Sequence, residues 1–147
     1  VCRTFSKIYG MAGLRIGYAI TSEAHATTIR SHLMSFGGNL AGVAAAIASY
    51  NDTAFLDQSR AAVLEGREMI IDAVAKAGLK ALPSQTNFVF VEVPDANALR
   101  DAMAEQGIAI RGAYGSWAGY SRVSTGRLED VARYAVALPE LTGKLWG

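Results

Sequence analysis

An α/β chain is predicted from three observations. The run RIGYAI (15–20) is short, apolar and bounded by Gly13 and Thr21, and so reads as a buried strand. Leu56, Val63, Ile70 and Val74 recur at spacings of 7, 7 and 4, the stripe of a long amphipathic helix. From Leu79 onward, strand-like and helix-like patterns alternate, which predicts a separate α+β layer.

Each element has a local cause. After RIGYAI, Thr21-Ser22-Glu23 offers a helix N-cap with an acid in the first turn, opening a helix to about Met34. Phe36-Gly37-Gly38-Asn39 breaks it. A small-residue helix follows from about Leu40 to Tyr50, and its alanines predict close packing against another element. Asn51-Asp52-Thr53 starts the longest helix, which ends near Gly78, a natural residue to follow a helix end. Arg60, Glu65, Arg67, Glu68 and Asp72 fall off its apolar stripe. Such a helix would be about 40 Å long at ~1.5 Å per residue, enough to connect two domains.

In the second half, NFVFVEV (87–93) is strand-like. Asp95 caps a helix to Gly107, with Leu99 and Met103 on one face. IAIRG (108–112) and YSRVST (120–125) read as two more strands, joined by a loop rich in glycine and aromatics. Leu128, Val131, Ala132, Ala135 and Leu138 mark a last amphipathic helix whose end Pro139 perturbs.

Composition excludes several functions. The formal net charge is +1, so no basic footprint for nucleic acid or an anionic membrane exists. No stretch reaches the ~18–20 apolar residues of a membrane span. Cys2 is the single cysteine, which rules out an internal disulfide and fits a cytoplasmic setting. His25 and His32 are seven apart, unlike a helical metal pair at i, i+4, and no metal site is expected.

The chemistry concentrates in the opening segment, VCRTFSKIYGMAGLRIGYA. Partial burial of Lys7 would disfavour its ammonium form and make the amine a nucleophile able to form a Schiff base. Arg15 carries the planar fork that suits phosphate. Thr4 and Ser6 place hydroxyls just before Lys7. Singly, these residues read equally well as a solvated lysine, a structural ion pair and turn chemistry.

Together they form R-T-F-S-K-I-Y-G-M-A-G-L-R-I-G-Y, sixteen contiguous residues. This stretch resembles the lysine segment of pyridoxal-phosphate (PLP) aminotransferases of fold type I, most of all the histidinol-phosphate aminotransferase branch. The resemblance implies that Lys7 carries the cofactor as a Schiff base and moves the substrate proton. It implies that Arg15 and Ser6, and with them Thr4, hold the cofactor phosphate. Downstream, P-S-Q-T-N-F-V-F-V (83–91), G-I-A-I-R (107–111), S-R-V-S-T-G (121–126) and R-L-E-D-V-A-R-Y-A-V-A-L-P (127–139) are similar to later family segments. Arg122 would then clamp the substrate α-carboxylate, Arg111 a second anionic end, and Asn87 would contact substrate or simply start its strand. Tyr114, Trp117 and Tyr120 would pack the intervening loop or favour an aromatic substrate.

The implied architecture is the C-terminal half of such an enzyme. Residues 1–51 would end the large parallel-sheet domain, 52–78 would form the connecting helix, and 79–147 the small α+β domain. The implied activity is amino-group transfer between an amino acid, or a histidinol-phosphate-like amine, and a 2-oxo acid. The implied partners are the N-terminal half of the same enzyme and a second copy in a homodimer. Without those, the chain is expected to be inactive, with residues 1–50 dependent on a partner. A decarboxylase or carbon–sulfur lyase of the same fold, and a non-catalytic binding fragment, remain open alternatives.

Overall fold

The computed structural model describes residues 1–35 and 37–147. Phe36, placed by the sequence in the break after the first helix, lies outside the described residues. Contacts divide the chain into two units, Val1–Arg60 and Ala61–Gly147.

The first unit opens with β1 (Cys2–Thr4) and β2 (Gly17–Ala19), paired antiparallel with Arg3 opposite Tyr18. The two strands are not a parallel pair. A parallel step needs a long crossover, usually a helix, and residues 5–16 hold only a single 3-10 turn, Ala12–Leu14. RIGYAI is not a buried strand either, because every residue of β2 is exposed. A two-stranded ribbon covers one edge of each strand and leaves both faces to be covered by something else. Gly17 is required by the ribbon, since a Cβ there would lie 2.8 Å from the Arg3 carbonyl oxygen.

Two helices follow. α1 (Glu23–Ser31) starts at the expected Ser22 cap, whose Oγ accepts from the His25 N–H. It stops three residues earlier than the periodicity suggests. α2 (Leu40–Tyr50) has the predicted bounds, and the Asn39 side chain accepts from the Gly42 N–H at 2.6 Å. Its packing is one-sided. Gly42 and Ala46 are buried, the face that the small residues are expected to pack, whereas Leu40 and Ile47 are 84% and 70% exposed.

α3 (Thr53–Lys76) is continuous, and Gly78 follows it at φ +69°. Its stripe is buried at Ile70 and Val74. Arg67, expected on a solvent face, is also buried and donates from Nη1 to the Thr86 carbonyl at 3.3 Å.

The second unit has a three-stranded antiparallel sheet in the order β3 (Lys80–Ala81), β4 (Phe88–Glu92), β5 (Tyr120–Ser124). β4 and β5 align Val89 with Val123 and Phe90 with Arg122. Strand alternation sends Val89, Val91, Ser121 and Val123 to the buried face. There they meet Ile70, Ala73 and Val74 of α3 and Leu99 and Met103 of α4 (Ala96–Glu105). Val131, Tyr134, Ala137, Leu138 and Leu141 of α5 (Leu128–Trp146) complete the core. Phe88, Phe90, Tyr120 and Arg122 take the opposite face.

Two expectations fail in this unit. IAIRG is not a strand, and its one pairing is a bridge between Arg111 and Arg122. Pro139 lies inside α5, which runs on to Trp146. The missing proline N–H costs one helical bond, and burial of Leu141 beyond it helps to hold the helix together.

Tyr134 is fully enclosed, and its hydroxyl has no hydrogen-bond partner. Desolvation pushes this phenol above its ordinary value near 10. The folded state therefore binds the proton more tightly than the unfolded state. That contribution is complete below pH ~10 and is lost as pH rises beyond it. Tyr134→Phe removes an unsatisfied buried group, so a gain of about 1 kcal/mol at neutral pH is expected. Urea unfolding of both proteins from neutral to alkaline pH checks this, and the variant's stability should fall less steeply above pH ~10.

Among the described residues, no helix is long and apolar enough to cross a membrane.

Candidate functional site

The first unit holds an open groove of about 540 Å³. Thr4, Ser6 and Arg15 all line it, so three residues assigned from the sequence meet there. Arg3 and Arg30 join them, and no carboxylate is in the lining. Those two arginines were missed. Arg3 alternates with Thr4 along β1, and Arg30 sits in the last turn of α1, a position that reads as ordinary helix capping.

The backbone around Arg15 is distinctive. Arg15 has φ +54°, the one non-glycine residue in the left-handed region among those described. Its Nη1 donates to the Ala12 carbonyl at 2.8 Å, and among the described residues the rest of the guanidinium has no protein partner. Asn39 Nδ2 donates to the Leu14 carbonyl at 2.8 Å and so ties the α2 cap to the residue before Arg15. A strained residue held from two sides is the pattern of a ligand-directed side chain. Thr4 Oγ1 accepts from the Ser6 N–H at 3.0 Å and shapes the turn. The Tyr18 phenol, also in the lining, is raised above its ordinary value by desolvation first and then by the neighbouring Tyr50.

Lys7 is not in the lining of this groove. It follows Ser6 in a turn closed by the Gly10 N–H onto the Lys7 carbonyl at 2.9 Å. The partial burial expected for it is not found, and the residue is exposed. Its neighbour Phe5 takes the buried position instead, against Tyr9 at 4.6 Å and Tyr18 at 6.1 Å between ring centroids. The donor set of the groove, three guanidiniums and four hydroxyls (Thr4, Ser6, Tyr18 and Thr21) without an acid, fits a phosphate group.

The second unit holds another groove, of about 530 Å³, and here Arg111 and Arg122 come together with Arg100. The bridge between residues 111 and 122 sets the first two side by side. Both guanidiniums lie over the Tyr114 ring, that of Arg111 4.7 Å from its centroid and that of Arg122 5.6 Å. Arg122 also stacks on Phe88 at 5.1 Å. Arg100 is paired with Asp101 at 2.7 Å. Neither Arg111 nor Arg122 has an acidic partner among the described residues. The Arg122 Nε is buried and without any hydrogen-bond partner. A buried charged donor left open costs free energy unless a ligand completes it.

Asn87 is not in the lining of this groove. Its carbonyl accepts from the Thr125 N–H at 2.9 Å and the Thr125 hydroxyl at 3.1 Å, fastening the end of β5 to the start of β4. The strand-starting reading of Asn87 therefore has a structural counterpart. Trp117 and Tyr120 pack as loop aromatics, Trp117 at 6.4 Å from Phe90 and 5.7 Å from Tyr120.

Comparison with known proteins identifies the family. Residues 1–138 match the family model described as aminotransferase class I and II. Histidinol-phosphate aminotransferase 1 of Dechloromonas aromatica is 38% identical over 142 residues, covering 94% of this chain. The chain spans 38% of that relative's length. A crystal structure of histidinol-phosphate aminotransferase from Sinorhizobium meliloti, in complex with pyridoxal-5'-phosphate, superposes with TM-score 0.89 at 37% identity. It covers 98% of this chain, which spans 41% of it. L-threonine-O-3-phosphate decarboxylase from Porphyromonas gingivalis shares the fold, at TM-score 0.81 and 23% identity, over 97% of this chain and 46% of its own. With its family segments matched almost from end to end, the chain belongs to the class I and II aminotransferases.

Proposed function

We propose that this chain is the C-terminal portion of a PLP-dependent aminotransferase that moves an amino group between an amino acid and a 2-oxo acid. The observation that carries the reading is the unpaired arginine pair. Arg122 and Arg111 both lie over the Tyr114 ring and, among the described residues, meet no carboxylate and leave the Arg122 Nε without a partner. Arg122 binds the substrate α-carboxylate through its fork, and Arg111 takes a second anionic group, which suits a histidinol-phosphate-like amine. Arg15, Ser6 and Thr4 hold the cofactor phosphate in the acid-free groove of the first unit. Bound pyridoxal phosphate supplies the electron sink of the reaction. The Lys7 amine holds the cofactor and moves the proton at the substrate α-carbon.

The domain reading follows the same lines: 1–51 the end of the cofactor domain, 52–78 the connecting helix, 79–147 the small domain. Its support is the unbroken α3. The remaining half of the enzyme and a second copy complete the working protein. The outward face of α2, with Leu40, Val43, Ile47 and Tyr50 exposed at helical spacing, supports such an interface. A cytoplasmic setting agrees with Cys2 as a free thiol.

The test is spectroscopic. Loaded with pyridoxal phosphate, the complete protein should show a visible absorbance band that borohydride removes, leaving the added mass on the peptide containing Lys7. Adding an amino acid should convert the cofactor to its pyridoxamine form. Release of carbon dioxide without that conversion would identify a decarboxylase instead, and no chromophore at all would identify a binding fragment.

A further inference from the structure

Arg111 sits in a segment that one bridge alone ties to the sheet. So slight a connection would leave its guanidinium poorly placed. Two side chains outside the arginine pair make up the difference. Ser121, fully buried on the core face of β5, donates its hydroxyl to the Arg111 carbonyl at 2.9 Å. Asn97, near the start of α4, accepts at Oδ1 from the Ala113 N–H at 3.1 Å and from Arg100 Nη1 at 3.2 Å. Asn97 is itself held, because its own N–H donates to Asp95 Oδ1 at 2.8 Å. The two anchors bracket residues 111–113. Gly112 lies between them, and a Cβ there would run into Asn97 Oδ1 and come 3.1 Å from Arg100 Nη1. The absence of a side chain at 112 is what lets Asn97 reach the loop.

The bracketed loop leads directly into Tyr114, the ring that both guanidiniums face. We infer that Asn97 and Ser121 are positioning residues that clamp the 111–114 loop and so preorganise the Arg111–Tyr114–Arg122 anion site. This rests on the anion-binding role proposed above for the two arginines. The clamp holds two like charges near one another before a ligand arrives, which removes an ordering cost from binding.

The experiment titrates the 147-residue chain with inorganic phosphate while following the Nε–Hε resonances of Arg111 and Arg122. Asn97→Ala should weaken phosphate binding about tenfold, the loss of roughly one hydrogen-bonded anchor at a charged site. It should also move the Arg111 resonance before any phosphate is added, with the melting temperature unchanged. Gly112→Ala should act in the same way by displacing Asn97. The double variant should be no weaker than the single ones, because both break one contact. Ser121 is enclosed in the core, so its replacement also disturbs folding, and Asn97→Ala and Gly112→Ala therefore decide the matter through their coupling.

Unchanged phosphate affinity in Asn97→Ala and Gly112→Ala, with affinity lost in Arg111→Leu, overturns the clamp and leaves the anion site standing. No phosphate binding by the unaltered chain, or binding indifferent to both Arg111→Leu and Arg122→Leu, overturns the anion site and the clamp together.

Discussion

Replacing Arg122 by leucine is expected to weaken binding of a carboxylate-bearing substrate about 30- to 150-fold, the equivalent of roughly 2–3 kcal/mol for a charge-assisted pair. The size follows from the surroundings. Arg122 lies on the open face of β5, stacked on Phe88 and Tyr114, with its Nε buried and unpartnered. Water is already excluded from part of the guanidinium, so a ligand carboxylate replaces little hydration there and supplies the missing acceptor. Leucine preserves some apolar packing on Phe88 while removing every donor. Arg122→Lys should recover only a small part of the affinity, because an ammonium cannot offer two parallel N–H groups or stack as a plane. Calorimetric titration with an amino acid or a dicarboxylate, on the complete enzyme, measures the loss. Equal affinity in the lysine variant would show that the charge alone matters and that the fork has no role.

Leu99→Ala should cost about 2–5 kcal/mol of stability, the usual range for emptying a closed leucine site. Leu99 is completely buried, one turn before Met103 on α4, in the cluster where α3, α4 and α5 meet the sheet. Nothing around it can collapse easily, because Val89, Val91 and Leu138 are equally enclosed. A small domain holds only ~5–15 kcal/mol in total, so this one truncation removes a large share. Denaturant unfolding followed by Trp146 and Trp117 emission reads the change. A midpoint shift corresponding to less than about 1 kcal/mol would mean that the core around α4 rearranges to fill the space.

The two predictions differ in what they rest on. Leu99 was visible as a core residue from the spacing Leu99–Met103 behind the Asp95 cap, and the cap is present, with Asp95 Oδ1 accepting from the Asn97 and Ala98 N–H groups. Arg122 was visible only through a motif. Its spacing says which strand carries it, but not that one Tyr114 ring would lie against both its guanidinium and that of Arg111. That contact depends on the chain's return through residues 112–114, and no local pattern encodes it. Arg67 is a similar case: a charged residue off the apolar stripe reads as solvated, yet the Thr86 carbonyl receives it in a buried position.

The sequence by itself determined the family, through the contiguous run from Arg3 to Tyr18, and two of the helix starts, through caps at Ser22 and Asp95 that act within three residues of themselves. That same run singled out Thr4, Ser6 and Arg15, which a strand end, a turn and the left-handed residue after the 3-10 turn bring to one groove. Tertiary structure alone decided burial and pairing. RIGYAI is apolar enough for a core, but whether it is covered depends on what packs over it, and β2 is exposed. IAIRG has the composition of a strand, but a strand exists only where a neighbouring strand's backbone meets its N–H and C=O groups in register, and among the described residues a single bridge from Arg111 to Arg122 does so. Hydrophobic spacing and capping are local and so are written in order along the chain, whereas edges, faces and orphaned donors are properties of neighbours distant in sequence.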